Sequence, residues 1–163
     1  MNYKMIVLDL DGTLTNRDKE ITPRTREVLM EAQRQGKIVV LASGRPTQGV
    51  APLARELELE KYGSYILSYN GGMITNCRTG KTVAAALLPP EINRKVIGLA
   101  REQQVNILTY EKDTIITLKK KDPYVELEAR INQMEIKEIS DMENYAEFAV
   151  PKFLMVDDGD YLA

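Results

Sequence analysis

The sequence predicts an α/β protein in which a parallel sheet built by helical crossovers is followed by a smaller mixed α+β layer. Three observations carry this. A continuous apolar run at 5–8 bounded by charge, with predominantly apolar runs at 37–42 and 65–68, suits strands buried in a parallel sheet. The stretches between them carry helix signals, so strand, helix, strand, helix and strand succeed one another with short connections, the pattern of right-handed crossovers. After Met73 the period changes, and a hairpin replaces the crossovers.

In chain order, Met5-Ile6-Val7-Leu8 is the first strand, and Asp9 sits where it ends. Thr22 makes an N-cap with Pro23 at the first helical position; Val28, Leu29 and Ala32 form an apolar stripe, and Gly36 stops a helix spanning about 22–35. The second strand, 37–42, runs into Ser43-Gly44-Arg45-Pro46, and Pro46 opens a helix that continues to about Leu59. Tyr65-Ile66-Leu67-Ser68 is the third strand and leads to Asn70-Gly71-Gly72. Residues 73–76 and 82–84 flank Arg78-Thr79-Gly80-Lys81 as a β-hairpin. Pro89-Pro90 marks a boundary, which divides the chain into a core part, 1–88, and a cap-like α/β part, 89–163, expected to be incomplete. The second part predicts a helix near 91–104, strands at 106–110 and 114–118, a helix near 122–133, and strands at 135–139 and 153–156.

Composition narrows the chemistry. The 163 residues suffice for one domain or for one and part of a second, and a formal charge of −2 with scattered Lys and Arg gives no footprint for nucleic acid or an anionic membrane. Lys119-Lys120-Lys121 reads as a solvated loop. The apolar run before Asp9 is too short for a signal peptide or a span, so a cytoplasmic location is expected. Cys77 is the single cysteine, which excludes a disulfide framework and a thiolate cluster and suggests an inert thiol. The chain has no histidine, so Ser-His and Cys-His nucleophile pairs and His-ligated metals are excluded, and acid/base work falls to carboxylates, Lys or Tyr.

In an open parallel sheet, ligands bind beyond the carboxyl ends of the strands. All three ends here are polar, small or glycine-rich, and they are expected to share one cleft. In Asp9-Leu10-Asp11-Gly12-Thr13-Leu14, two carboxylates two residues apart leave one strand, while Gly12 permits a sharp turn close to a ligand. One carboxylate can attack phosphorus, and the other can move the proton of the leaving or attacking oxygen. A carboxylate facing a phosphate dianion needs neutralising charge, for which Mg²⁺ with oxygen ligands is the usual agent. Ser43 and Gly44 offer a hydroxyl and backbone N–H groups near a helix start, and Asn70 and Gly71 offer an amide and accessible backbone. The plainer readings are a turn after a strand or a calcium loop, but the glycine position of an EF-hand loop holds Leu14. Asp157-Asp158-Gly159-Asp160 reads as the end of a cap strand, with a metal site as the alternative.

These motifs resemble the haloacid dehalogenase superfamily, and within it the Cof-type capped phosphatases, over roughly residues 1–90. The resemblance implies a Rossmannoid core with an inserted cap, a nucleophile at Asp9, an acid/base at Asp11, and Mg²⁺ held through Asp9 and Asp11. It places Gly12, Thr13, Ser43, Gly44, Arg45, Asn70 and Gly71 around phosphate or substrate, with Ser43 supplying the phosphate-binding hydroxyl. The expected substrate is a small phosphorylated metabolite such as a sugar phosphate. Family members also carry a later lysine and an acidic Gly-Asp pair, neither identifiable here, so the chain is expected to stop before those motifs. The alternative is a noncatalytic domain that binds phosphate or Mg²⁺ weakly or serves only in association. The parallel sheet is expected to stop at the three strands ending near Asp9, Ser43 and Asn70, exposing Ile6 and Leu8 on an unpaired edge through which the chain self-associates.

Overall fold

The computed structural model describes residues 3–162. The chain divides into two compact units between Ala85 and Ala86, each with its own sheet.

The first unit contains β1 (Met5–Asp9), α1 (Pro23–Arg34), β2 (Ile38–Ala42), α2 (Thr47–Glu56), α3 (Leu59–Tyr62), β3 (Tyr65–Ser68), β4 (Met73–Asn76) and β5 (Thr82–Ala85). The first three strands are parallel in the order β1-β2-β3. Asp9 lies opposite Ala42 and Ala42 opposite Leu67, so the three carboxyl ends finish level with one another. The core lies on the face carrying Leu8, Val39, Leu41 and Ile66, which α1, α2 and α3 cover with Leu29, Val50, Leu53, Leu57 and Leu59.

Thr22 caps α1 as its sequence context predicts, accepting the Thr25 N–H at 3.2 Å. The stripe differs from expectation. Leu29, Met30 and Gln33 are buried, whereas Val28 is 49% exposed. Gln33 occupies an inward position because its Nε2 donates to the Leu57 carbonyl at 2.8 Å, tying α1 to the end of α2. The helix expected over 46–59 is broken at Glu58, whose φ of 51° is left-handed. Leu57 and Leu59 are both fully buried. On a continuous helix residues two apart point about 200° away from each other, so the break lets both reach the core.

The parallel part of the sheet has the three strands expected, and the hairpin extends it by two antiparallel ones. Left-handed φ values at Tyr69 (53°), Asn70 (58°) and Gly71 (87°) turn the chain back, so β4 runs antiparallel beside β3 and β5 beside β4. Among the described residues β1 pairs only with β2. Its exposed side chains are Met5 (48%) and Val7 (53%), while Ile6 and Leu8 are half-buried and Leu8 packs on the core. The expected exposure of Ile6 and Leu8 is therefore corrected, because strand alternation turns them toward the helix-covered side. Cys77 is half-buried, and burial pushes its thiol up to about 11, with Glu60 acting in the same direction, so it stays protonated at neutral pH.

The second unit contains α4 (Pro90–Glu102), β6 (Asn106–Glu111), β7 (Thr114–Thr117), α5 (Pro123–Asn132), β8 (Glu135–Glu138), α6 (Met142–Tyr145), β9 (Phe153–Val156) and α7 (Gly159–Leu162). Its sheet has the order β8-β7-β6-β9. Ile97 and Ala100 of α4 pack with Ile107, Ile116, Met142 and Ala146 in its core. Asn93 binds two carbonyls from inside, donating to Ala146 at 3.0 Å and Phe148 at 2.8 Å. Residues 119–121 form the exposed loop expected of them. β9 ends at Val156, and Gly159 and Asp160 open α7, so the acidic tetrad follows the strand instead of closing it. At four residues each, α6 and α7 are too short to show a helical period. Among the described residues no helix is long and apolar enough to cross a membrane.

Candidate active site

The loop after β1 is wound around one carbonyl. The Leu10 C=O accepts from the N–H groups of Thr13 (3.3 Å), Leu14 (3.1 Å) and Thr15 (2.9 Å), and from the Thr15 hydroxyl at 3.0 Å. Leu10 and Leu14 anchor this coil in the core. Gly12 has φ +80° with open space where a Cβ would stand, so the backbone conformation, not crowding, calls for glycine. The coil leaves Asp9, Asp11, Gly12 and Thr13 exposed at the rim. Residues 15–21 then form a small flap closed by bridging of Thr15 to Ile21.

The ends of β2 and β3 are tied together. Ser43 N–H donates to the Leu67 carbonyl at 2.9 Å, the Asn70 N–H to the Ser43 carbonyl at 3.1 Å, and the Tyr69 N–H to the Arg45 carbonyl at 3.0 Å. The Ser43 Oγ accepts the Arg45 N–H at 3.1 Å, which leaves its own O–H proton for another acceptor. Thr47 and Ser68 share a hydroxyl–hydroxyl bond of 2.7 Å, fixing the start of α2 to the end of β3. Consecutive left-handed residues at Tyr69 and Asn70 are costly for non-glycine side chains, and these cross-loop bonds hold them.

Asp11 is the electrostatic centre of the rim. Arg45 grips it as a fork, Nε to Oδ2 at 3.0 Å and Nη2 to Oδ1 at 2.6 Å, and Lys19 Nζ reaches Oδ1 at 2.8 Å. The Arg45 guanidinium holds the Asp11 carboxyl below the usual carboxylate range; partial burial opposes this and Lys19 adds to it. Arg45, expected around phosphate or substrate, has its side chain bonded to Asp11 and 12% exposed. Lys19 was not anticipated, because the flap that returns it to Asp11 is a tertiary arrangement. The only hint was a lysine eight residues beyond Asp11 in a polar loop.

The expectation for Mg²⁺ fits these residues in kind but not in number. Asp9 and the backbone carbonyl of Asp11 are hard oxygen donors, as Mg²⁺ requires. The Asp11 carboxylate, expected as a ligand, has both oxygens bonded to cations. Among the described residues no group of three or more His, Cys, Asp or Glu could hold a metal ion, and 157–160 does not form one.

Gly44 has a packing reason for its identity. A Cβ there would stand 3.0 Å from Asn70 Oδ1. Gly44→Ala is therefore expected to keep the fold, at a cost below the roughly 1–3 kcal/mol of overpacking a core, while displacing the Asn70 amide. Thermal melting and the Asn70 side-chain amide resonances measure the two effects. An unmoved Asn70 resonance would contradict the close approach.

Over residues 6–163 the chain matches the family model described as haloacid dehalogenase-like hydrolase. The chain belongs to that family. A Streptococcus pyogenes protein whose name assigns it provisionally to the phosphatases is 30% identical over 163 residues, covering 99% of this chain and 60% of that protein. The Bacillus subtilis 5-amino-6-(5-phospho-D-ribitylamino)uracil phosphatase YwtE is 28% identical over 115 residues, 70% of this chain and 38% of its own length. The crystal structure of a haloacid dehalogenase-like hydrolase from Bacteroides thetaiotaomicron is 46% identical and superposes with a TM-score of 0.89, covering 99% of this chain and 60% of that one. The chain thus spans about 60% of the length of these family members from S. pyogenes and B. thetaiotaomicron. The Rossmannoid fold expected from the motifs is the fold found in the haloacid dehalogenase-like relatives.

Proposed function

We propose that this chain carries the nucleophile-bearing part of a Mg²⁺-dependent phosphate-ester hydrolase that acts on a small phosphorylated metabolite such as a sugar phosphate. The observation that supports this most is the level ending of the three parallel strands, with Asp9, Ser43 and the Ser68–Asn70 turn along one rim and Asp11 beside them. Phosphatase names among the relatives agree with that reading.

In the reaction, an Asp9 carboxylate oxygen attacks phosphorus and the bond to the ester oxygen breaks, giving an aspartyl phosphate and an alkoxide. Asp11 in its acid form gives that alkoxide a proton. Water then attacks phosphorus, Asp11 takes the proton released, and the Asp9–phosphorus link breaks to yield phosphate. Held as a carboxylate by Arg45, Asp11 is in the form the second step uses and must take up a proton before it can serve as the acid of the first. The Ser43 hydroxyl donates to a phosphoryl oxygen. Mg²⁺, held by the Asp9 carboxylate and the Asp11 carbonyl, would supply positive charge between the nucleophile and the dianion.

The test is hydrolysis of a generic aryl phosphate by this chain with Mg²⁺ and with excess chelator. Turnover that is lost with the chelator and restored by Mg²⁺ is expected. Because most of the octahedral shell is left to water, titration calorimetry should find weak Mg²⁺ binding. A submicromolar dissociation constant would contradict this and turn attention to Asp157, Asp158 and Asp160 as ligands.

A further inference from the structure

We propose that Lys19 is an exchangeable anion-binding residue of this rim: its ammonium leaves Asp11 for an oxygen of an incoming phosphoryl group, while Arg45 stays on Asp11 as the fixed partner. The proposal rests on the reading of the rim as a phosphate site and adds a binding residue that the motifs do not name.

Redundancy in the Asp11 cluster is the first argument. Asp11 Oδ1 accepts from both Lys19 Nζ at 2.8 Å and Arg45 Nη2 at 2.6 Å, and Oδ2 accepts from Arg45 Nε at 3.0 Å. Removing Lys19 therefore leaves both carboxylate oxygens hydrogen-bonded. Removing Arg45 would leave Oδ2 without its Nε bond. The second argument is exposure. The Arg45 side chain is 12% exposed and that of Lys19 is 53% exposed. An ion pair this exposed contributes little to stability, so its exchange for a dianion is cheap. An ammonium also carries three N–H donors, and the bond to Asp11 uses one of them.

The flap supplies the third argument, because it holds Lys19 in place by its backbone. The Asn16 side-chain oxygen accepts from the N–H groups of Asp18 (2.9 Å) and Glu20 (3.0 Å). Asn16 N–H donates to the Glu20 carbonyl at 2.9 Å, and Lys19 N–H to the Asn16 carbonyl at 3.1 Å. This turn puts Lys19 at φ 64°, a left-handed conformation unfavourable for a long side chain. The side chain that accepts this conformation is the one that reaches over the rim, which places its positive charge beside Asp11.

The conformation also gives a clean variant, since glycine adopts φ 64° without strain and Lys19→Gly should fold at least as well as the parent. The experiment measures binding of inorganic phosphate to the 163-residue chain by calorimetry at fixed ionic strength. It compares the parent with Lys19→Gly, Lys19→Arg and, as a charge-matched control in the β4–β5 hairpin, Lys81→Met. The expected result is a dissociation constant roughly five to ten times weaker for Lys19→Gly, with Lys19→Arg staying within about twofold of the parent. Lys81→Met should bind as the parent does. Equal affinity of Lys19→Gly and the parent, an equal loss in Lys81→Met, or no measurable phosphate binding by the parent would each overturn the inference. Hydrolysis is not read in this experiment. A chain that binds phosphate through Lys19 but turns over no ester keeps this inference and removes the catalytic one.

Discussion

Asp9→Asn is expected to lower turnover of an aryl phosphate by at least about 10³-fold, since the amide keeps the shape of the side chain but has no anionic oxygen to form the aspartyl phosphate. The effect is a ratio within one chain, so it does not depend on how fast the parent is. Asp11→Asn should behave differently with different leaving groups. A phenolate leaves without help, whereas an alkoxide needs a proton, and general acid catalysis is worth roughly 10²–10⁴-fold. The Asp11→Asn loss should therefore be larger on an alkyl phosphate than on an aryl phosphate, and the Asp9→Asn loss similar on both. Measuring kcat/KM for both substrates separates the roles. Equal sensitivity of the two variants to the leaving group would remove the assignment of nucleophile and acid/base. Asp11→Asn also weakens the Arg45 fork, so thermal melting must accompany it. The exposure of Asp11 predicts a small change there.

The features that were legible in the sequence are those that depend on neighbours in the chain. Thr22 and Pro23 announce the start of α1 because a cap and a first-turn proline act within three residues. The ends at Asp9, Ser43 and Asn70 were readable because a buried apolar run must stop where polar residues begin. What was not legible depends on distant partners. Gln33 sits inside because of the Leu57 carbonyl 24 residues away, and Val28 is turned out in consequence. The break at Glu58 depends on two leucines competing for one core. The hairpin was visible as two strands, but its docking onto β3 is set by the left-handed turn at Tyr69–Gly71, which no residue type there demands except Gly71. In the site, the bond between Arg45 and Asp11 was not legible. A guanidinium suits phosphate and carboxylate equally, and only the three-dimensional proximity of Asp11 decides between them.

The second large effect concerns association. On its own, the 163-residue chain is expected to dimerise or aggregate at tens of micromolar through β1. Among the described residues that strand is bonded on one side only, and it presents Met5 at 48% and Val7 at 53% exposure on the face that α1 and α2 do not cover. Covering the remaining half of each side chain contributes about 1 kcal/mol, and the unpaired N–H and C=O groups add a template for strand pairing. β5 is the competing edge, with Val83 at 56% exposure. It is four residues long against five for β1, and the register irregularity in its pairing with β4 makes it the poorer template. Val7→Lys should therefore shift the population to monomer, since a charge placed in the middle of an edge strand opposes pairing. Val83→Lys should change it little. Size-exclusion chromatography with light scattering on the parent and both variants decides the matter. A stable, cooperatively unfolding monomeric parent would show that β1 does not drive association, and a response to Val83→Lys alone would move the interface to the hairpin.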